Sequence, residues 1–260
     1  MQELIERIKG HWEHEKLSYI QRNTNRLLHL VNQLMDYRRA ELGIFELRPV
    51  YANAYKKVLN CFLNYENLSK RKDIDYNLYT ELQDEELLFD ETYLDLIVNN
   101  LLSNAFKYTE KGECITVRLY KEDNNLVLQV IDTGVGIPAE KQKKIFERFY
   151  QAESGHEGSG IGLSLVQRLV ELHHGHITLE SKVGEGSTFS IYIPQDKSMY
   201  TSEELLAQEE GAKEQRAYYT NAHDVYIDDE ELLETSALAD GEKEKRGKIL
   251  VVDDNQELRQ

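Results

Sequence analysis

The stretch Asn99-Asn100-Leu101-Leu102-Ser103-Asn104-Ala105-Phe106-Lys107-Tyr108-Thr109 decides how this chain is read. As a helix it turns Asn100, Asn104 and Lys107 toward one side, because residues three and four apart are neighbours on a helix surface. Leu94, Ile97, Val98, Leu101, Leu102 and Ala105 form an apolar face on the other side. An unpaired buried amide costs roughly 1–3 kcal/mol, so two amides one turn apart on a packed helix need partners. Two arrangements supply them. The amides can bond local backbone, or their oxygens can face a hard cation such as Mg²⁺, with an ammonium one turn on for phosphate. The stretch alone leaves both open.

Working outward, this helix runs from about Glu91 to Tyr108 and is closed by Lys111-Gly112-Glu113. Upstream, a helix over 51–66 carries Ala54, Val58, Leu59, Phe62 and Leu63 inward, after a short strand at Leu47-Arg48-Pro49-Val50. Short strands are expected at Ile74–Leu78 and Leu87–Phe89. Downstream, Cys114–Tyr120 and Asn125–Ile131 read as strands joined by the turn Glu122-Asp123-Asn124. A helix is expected from Pro138 to Phe149, with proline where its missing N–H costs nothing. Another follows over Ile161–His173, then strands Ile177–Ser181 and Thr188–Ile193. This irregular interleaving argues for a mixed-sheet α/β sandwich rather than a doubly wound parallel sheet.

The N-terminal 42 residues read as helical, with Leu17, Ile20, Thr24, Leu27, Val31 and Leu34 at alternating spacings of three and four, and a second seam of Leu28, Met35 and Leu42. That spacing is the seam of a helical bundle and predicts a four-helix bundle built from two chains, the alternative being one long helix packed on its own domain. Residues 195–246 are acidic, contain no proline and alternate short helical pieces such as Ser202–Glu210 with turn-like patches, so they read as a part-helical, weakly packed linker. Lys248-Ile249-Leu250-Val251-Val252-Asp253-Asp254-Asn255 then reads as an apolar strand ending in two carboxylates.

The chain has 260 residues, with 47 acidic against 31 basic side chains and a formal net charge of −16. That balance argues against a nucleic-acid or anionic-membrane binder, which needs a basic footprint. An anionic ligand would have to be held by local donors against the global field. The two cysteines, Cys61 and Cys114, read as core thiols of a reduced, cytoplasmic protein. No run approaches the ~18 apolar residues of a membrane span.

Two glycine segments carry further chemistry. In Asp132-Thr133-Gly134-Val135-Gly136-Ile137-Pro138, a carboxylate beside bare backbone could accept from an exocyclic amine while a flat ring approaches. It could equally be an ordinary tight turn. Gly158-Ser159-Gly160-Ile161-Gly162-Leu163 runs into a helix, where exposed N–H groups at the positive end suit phosphate. Residues 151–157 have the composition of a lid over a nucleotide. Between the segments, Arg148 lies in Ile145-Phe146-Glu147-Arg148-Phe149-Tyr150, suited to a phosphate or to a surface ion pair. No GxxxxGK[ST] motif occurs, and the glycines lack the βαβ start of a dinucleotide fold.

Taken in order, NxxxNAxK(Y), DxGxGI, FERF, GxGIGL and Gly184-Glu185-Gly186-Ser187-Thr188-Phe189 resemble the boxes of the ATP-binding domain of sensor histidine kinases, over about residues 46–194. Asn25 to Tyr37 resemble the second helix of that family's dimerisation domain, and Lys248–Asn255 the first strand of a receiver domain. The order resembles a hybrid two-component sensor. The resemblance implies an α+β fold, a two-layer Bergerat α/β sandwich preceded by a helical dimerisation hairpin. It also implies four parts: 1–45, a partial dimerisation domain; 46–195, the catalytic domain; 196–246, an acidic linker; 247–260, the start of a receiver.

By the same resemblance Asn100 and Asn104 would hold Mg²⁺ on the ATP phosphates, Lys107 would contact phosphate and Tyr108 would lie against adenine. Asp132 would bond the adenine amine, with Gly134 and Gly136 letting the ring approach. Arg148 and the lid glycines Gly158, Gly160 and Gly162 would surround the phosphates, and Ser187 and Thr188 would support the adenine site. The implied reaction moves the γ-phosphoryl of ATP to a histidine and on to a receiver aspartate. Implied partners are a second copy of the chain, a histidine-bearing acceptor and a receiver domain, on the cytoplasmic side of a membrane-anchored relative. The acceptor box, a histidine followed by Glu-Leu-Arg-Thr-Pro or similar, is missing. His14-Glu15-Lys16-Leu17 is the nearest imitation, and His11 and His29 match no better. The chain thus reads as an internal piece of a longer hybrid kinase that binds Mg-ATP without phosphorylating itself. Two rivals remain: a same-fold ATPase, which would carry a glutamate base where this chain has Asn100, and a non-catalytic dimerisation module.

Overall fold

A computed structural model describes residues 47–150 and 160–206, together with Ile20, Thr24, Leu27, Val31 and Met35. The expectations for the strand at 248–255, the lid over 151–157 and most of the N-terminal helices lie outside the described residues. The chain divides into two units, Met1–Ile227 and Asp228–Gln260, and all described residues belong to the first.

Strand β1 (Val50–Asn53) leads into helix α1 (Ala54–Asn64), and helix α2 (Glu66–Lys72) follows at once. The single helix expected over 51–66 is therefore shifted and divided. Asn53 is extended and its side chain accepts from the Lys56 N–H at 2.8 Å, so the helix starts there. Strands β2 (Asp75–Thr80) and β3 (Glu86–Phe89) precede α3 (Glu91–Tyr108), the helix of the paired amides. Asp90 caps α3 by accepting from the N–H groups of Thr92 and Tyr93, a contribution of about 1 kcal/mol.

Strands β4 (Cys114–Glu122) and β5 (Asn125–Asp132) form a hairpin. Asp123 (φ 45°) and Asn124 (φ 61°) are both left-handed, as the tight two-residue turn of a twisted hairpin demands. Beyond β5 come α4 (Ala139–Gln142), a 3₁₀ turn at Lys144–Phe146, α5 (Gly162–Leu172), and strands β6 (His176–Lys182) and β7 (Gly186–Pro194). The long helix expected from Pro138 to Phe149 does not form. Its first seven residues hold only Pro138 and Ala139 as apolar groups, so no stripe pins a helix to the core. Ile145 is buried instead in the 3₁₀ turn, and Phe149 turns left-handed at φ 60°.

The main sheet has the order β2-β4-β5-β7-β6, with β2 and β4 parallel and the other pairs antiparallel; β1 and β3 pair separately. Leu94, Ile97, Leu101 and Leu102 of α3 meet Ile115, Leu119, Leu128 and Ile191 of the sheet and Leu165 and Leu169 of α5 in one core. The alternate sheet residues, such as Arg118, Gln129 and Thr178, lie on the opposite face. This is the two-layer sandwich expected from the resemblance.

Residues 195–206 extend the fold beyond β7 where a weakly packed linker was expected. A 3₁₀ turn (Lys197–Met199) and a short helix, α6 (Ser202–Leu206), follow the last strand. Tyr200 is only 5% exposed, and its hydroxyl donates to the carbonyls of Pro194 (3.0 Å) and His173 (3.4 Å). At the other end of the chain, Ile20, Thr24, Leu27, Val31 and Met35 are helical and solvent-exposed. No helix among the described residues is long and apolar enough to cross a membrane.

Candidate functional site

Helix α3 places Asn100, Asn104 and Lys107 along one side, as the spacing predicts. Asn100 divides its amide between two tasks. Its Nδ2 donates to the Leu96 carbonyl at 2.7 Å, which is the local-backbone arrangement anticipated above. Its Oδ1 faces α5: a Cβ built on Gly162 would lie 2.7 Å from that oxygen. Only a residue without a side chain allows this approach. The amide nitrogen is thus spent on the helix while the oxygen is presented to the first turn of α5. Asn104 is half-buried and makes no side-chain hydrogen bond among the described residues. The Lys107 ammonium lies 5.0 Å from the centre of the Tyr108 ring.

The loop after β5 closes on the end of the same helix. The Val135 N–H donates to the Tyr108 carbonyl at 3.2 Å, and a Cβ on Gly134 would fall 2.0 Å from that carbonyl oxygen. The glycine is therefore required by contact between the two segments. Asp132 accepts from the Gly134 N–H at 3.1 Å and from the Ser187 backbone. Burial, the dominant influence, pushes its carboxyl up to about 6 against those two donors. It is 6% exposed. Gly136 packs against the Lys182 carbonyl of β6.

Behind this loop lies a polar brace that local sequence patterns did not reveal. The Ser181 hydroxyl accepts from the Ile137 N–H (2.8 Å), contacts the Ser187 hydroxyl (2.9 Å) and donates to the Gly186 carbonyl (2.9 Å). Gln142 Nε2 donates to the carbonyls of Ile137 and Ser181, both at 2.9 Å. Nothing in the spacing of Ser181 or Gln142 marks them, because the bonds that tie the loop to β6, Ile137 to Ser181 and Gln142 to Ser181, join residues remote in sequence. The Asp132–Ser187 register of β5 and β7 also separates the two small hydroxyl residues. Ser187 lies on the Asp132 side. Thr188 lies on the opposite face of the sheet, because adjacent strand residues alternate.

Two further residues stand apart. Arg148 lines a cleft of about 600 Å³ with Phe146, Glu147, Ser164, Gln167, Arg168 and Glu171. On α5, the face carrying Ser164, Gln167, Arg168 and Glu171 is turned roughly 180° from Gly162 at 100° per residue. Arg148 is thus on the far side of α5 from Asn100, and the structure does not bring the two together. Gly158 lies outside the described residues. Gly160 accepts from the Phe149 N–H at 2.9 Å and joins the two edges of the segment between them.

At the other end of α3, His173 is completely buried. Its Nε2 accepts from the Asp90 N–H at 3.0 Å, and its Nδ1 is 2.7 Å from the Leu169 carbonyl, to which it donates. Burial holds this imidazole down at about 4, so it is neutral near pH 7. Burial pushes the neighbouring Asp90 carboxyl up to about 6. Asp90 also accepts from the Arg48 N–H at 3.0 Å, which links the incoming segment to α3.

The assembled site is a floor made by α3, walled by the Asp132–Pro138 loop on one side and the N-terminus of α5 on the other. It offers amide oxygens, a buried carboxylate, bare glycine backbone and a helix start. The family model for histidine kinase-, DNA gyrase B- and HSP90-like ATPases matches residues 89–197. Histidine kinase P4 of Formosa agariphila is 30% identical over 253 residues, 95% of this chain and 18% of that protein. The autoinducer 2 sensor kinase/phosphatase LuxQ of Vibrio vulnificus (strain CMCP6) is 36% identical over 182 residues, 66% of this chain and 21% of that protein. The chain thus spans about a fifth of the length of these two relatives. Full-length ShkA, solved in complex with AMPPNP, shares the fold with a TM-score of 0.63 at 24% identity, over 70% of this chain and 38% of that one. Residues 89–197 thus form a histidine kinase-, DNA gyrase B- and HSP90-like ATPase domain, and the chain's relatives are sensor histidine kinases.

Proposed function

We propose that this domain binds Mg-ATP and holds it as the phosphoryl donor of a hybrid two-component histidine kinase. The observation that carries the reading is the approach of Gly162 to Asn100 Oδ1. It sets an amide oxygen against the first turn of a helix, where N–H groups and the positive end of the dipole favour phosphate. Asn100 and Asn104 would hold the magnesium through their amide oxygens, a ligand type that suits this hard cation. Magnesium, when bound, neutralises charge on the β- and γ-phosphates. Lys107 lies one turn beyond Asn104 to contact phosphate. Asp132 accepts from the adenine amine, the Gly134 backbone lets the ring approach, and Ser181 and Ser187 brace the loop that presents both.

Phosphoryl transfer is favoured over hydrolysis because Asn100 carries an amide. An amide has no proton affinity near neutral pH and cannot activate water as a carboxylate base does. The receiving histidine belongs to an acceptor domain that these 260 residues do not supply, and relay to a receiver aspartate follows it. The exposed helical residues Ile20, Leu27 and Val31 support pairing with a second copy of the chain. The test is incubation with γ-labelled ATP and Mg²⁺, with and without an added acceptor domain of the same family. Label is expected on the acceptor alone. Acid-labile label on the isolated chain would overturn the assignment of the acceptor, and steady phosphate release would favour hydrolysis.

A further inference from the structure

Helix α3 is held at its start by groups from beyond the last strand. Gln195 reads Leu88 as a strand neighbour would: its Oε1 accepts from the Leu88 N–H at 2.8 Å and its Nε2 donates to the Leu88 carbonyl at 3.2 Å. Two residues on, the Asp90 N–H donates to His173, whose own carbonyl accepts from Tyr200. Tyr200 packs edge-on against His174, with ring centres 5.4 Å apart. His174 Nε2 lies 3.3 Å from Glu204, which also accepts from the Thr201 N–H at 2.6 Å. The segment from Gln195 to Leu205 is therefore fastened at Leu88, at His173 and at His174, and Leu205 packs on the core.

We infer that residues 195–205 form a strap that couples the chain beyond residue 206 to the nucleotide helix, so that undocking the strap weakens nucleotide binding on α3. Leu88 is completely buried, and leaving its N–H and carbonyl unpaired costs roughly 1–3 kcal/mol per group. Lifting the strap strips these partners from Leu88 and so disfavours the present arrangement of residues 88–90. Of these residues Asp90 caps α3, and Asn100 lies about 15 Å further along the same helix at 1.5 Å per residue. A stiff helix carries a shift of its capped end to its amide-bearing turn. The coupling is reciprocal: a nucleotide that orders α3 must favour the docked strap by the same factor.

The effect on affinity rests on the Mg-ATP reading above; the mechanical link does not. The test uses the full 260-residue chain and two variants, the double substitution Gln195→Ala/Tyr200→Ala and the milder Tyr200→Phe. Met199→Ala, at an exposed neighbour, is the control. Hydrogen exchange is followed at residues 88–97 and 196–205, with protection of β5 and β7 as the check on folding. Expected are faster exchange at 88–97 in the strap variants, a roughly fivefold or larger loss of Mg-ATP affinity, and slower exchange at 196–205 when Mg-ATP is added to the unaltered chain. Unchanged exchange at 88–97 with the strap released overturns the coupling. Faster exchange there with unchanged affinity overturns its reach to the site. Should the double variant lose β5 and β7 protection, Tyr200→Phe decides by the same two readouts. An unaltered chain that binds no nucleotide refutes the Mg-ATP reading and with it the claimed effect on binding, while exchange at 88–97 still judges the link.

Discussion

Asn100 Oδ1 occupies the space that a β-carbon at Gly162 would need, 2.7 Å from where that carbon would sit. Two segments more than sixty residues apart thereby meet without a side chain between them. Gly162 has an ordinary helical backbone rather than a left-handed one, so Gly162→Ala is tolerated by the helix and even favoured by propensity. The variant is expected to melt no lower than the parent. Its affinity for Mg-ATP should fall roughly tenfold, the equivalent of one charge-assisted contact. Parallel thermal melts and calorimetric titrations check both parts, and an unchanged affinity contradicts the placement of phosphate between α3 and α5.

Asn104→Ala separates metal binding from folding. The Asn104 side chain makes no hydrogen bond among the described residues, and alanine is the better helix former. Stability should therefore hold or rise slightly while Mg²⁺-dependent ATP binding is lost. Asn100→Ala should behave differently, since it also removes the bond to the Leu96 carbonyl. Titration with and without Mg²⁺ distinguishes the two, and an unaltered metal dependence in Asn104→Ala removes that residue from the metal site.

Asp132 predicts opposite pH trends for binding and for stability. Its carboxyl titrates at about 6 in the fold, above its ordinary 3.8. Between those values the folded chain binds more protons than the unfolded one, so this group adds stability as the pH falls from about 6 toward 4. The protonated carboxyl accepts poorly from an amine, so ATP affinity should drop over the same interval, by up to tenfold per pH unit below 6. Asp132→Asn should flatten this affinity profile between pH 7 and 5. A wild-type profile flat across that range would count against the adenine contact.

His173 works in the other direction. Its imidazole is held down at about 4 by burial, whereas in an unfolded chain it titrates near 6.5. As the pH falls from 6.5 to 4 the unfolded state takes up a proton that the fold refuses, so stability is lost at up to ~1.4 kcal/mol per pH unit. Asp90 and Asp132 oppose this loss. His173→Gln should be less stable than the parent at pH 7, because the Asp90 N–H loses a well-placed acceptor. The difference between the two should shrink on acidification. Urea midpoints from pH 7 to 4.5 measure it; a gap that widens toward low pH contradicts the neutral buried imidazole.

Much of this site could be read locally. The three- and four-residue spacing of Asn100, Asn104 and Lys107 is a property of any helix, and the apolar face opposite them sets which side is buried. The Asp123-Asn124 turn and the ends of α3 follow from residue chemistry within a few positions. The helix expected from Pro138 to Phe149 failed where local propensity lacked an apolar stripe to hold it. Thr188 and Ser187, adjacent in sequence, are parted by strand alternation once Ser187 is paired with Asp132. Arg148 is turned to the far side of α5, away from the amides.

The amino-acid sequence by itself determined the family, most of the element order and the Asn100, Asn104, Lys107 and Asp132 donors of the candidate site, because these depend on short-range spacing and on residue type. Only the tertiary structure decided that Asn100 faces Gly162, that Ser181 and Gln142 brace the loop of Asp132, and that Gln195 and Tyr200 fasten the start of α3. The contacts of Asn100 with Gly162, Ser181 with Ile137, Gln142 with Ser181, Gln195 with Leu88 and Tyr200 with His173 join segments remote along the chain. Such contacts are set by strand register and by the packing of buried polar groups that must find partners, and no local pattern encodes them.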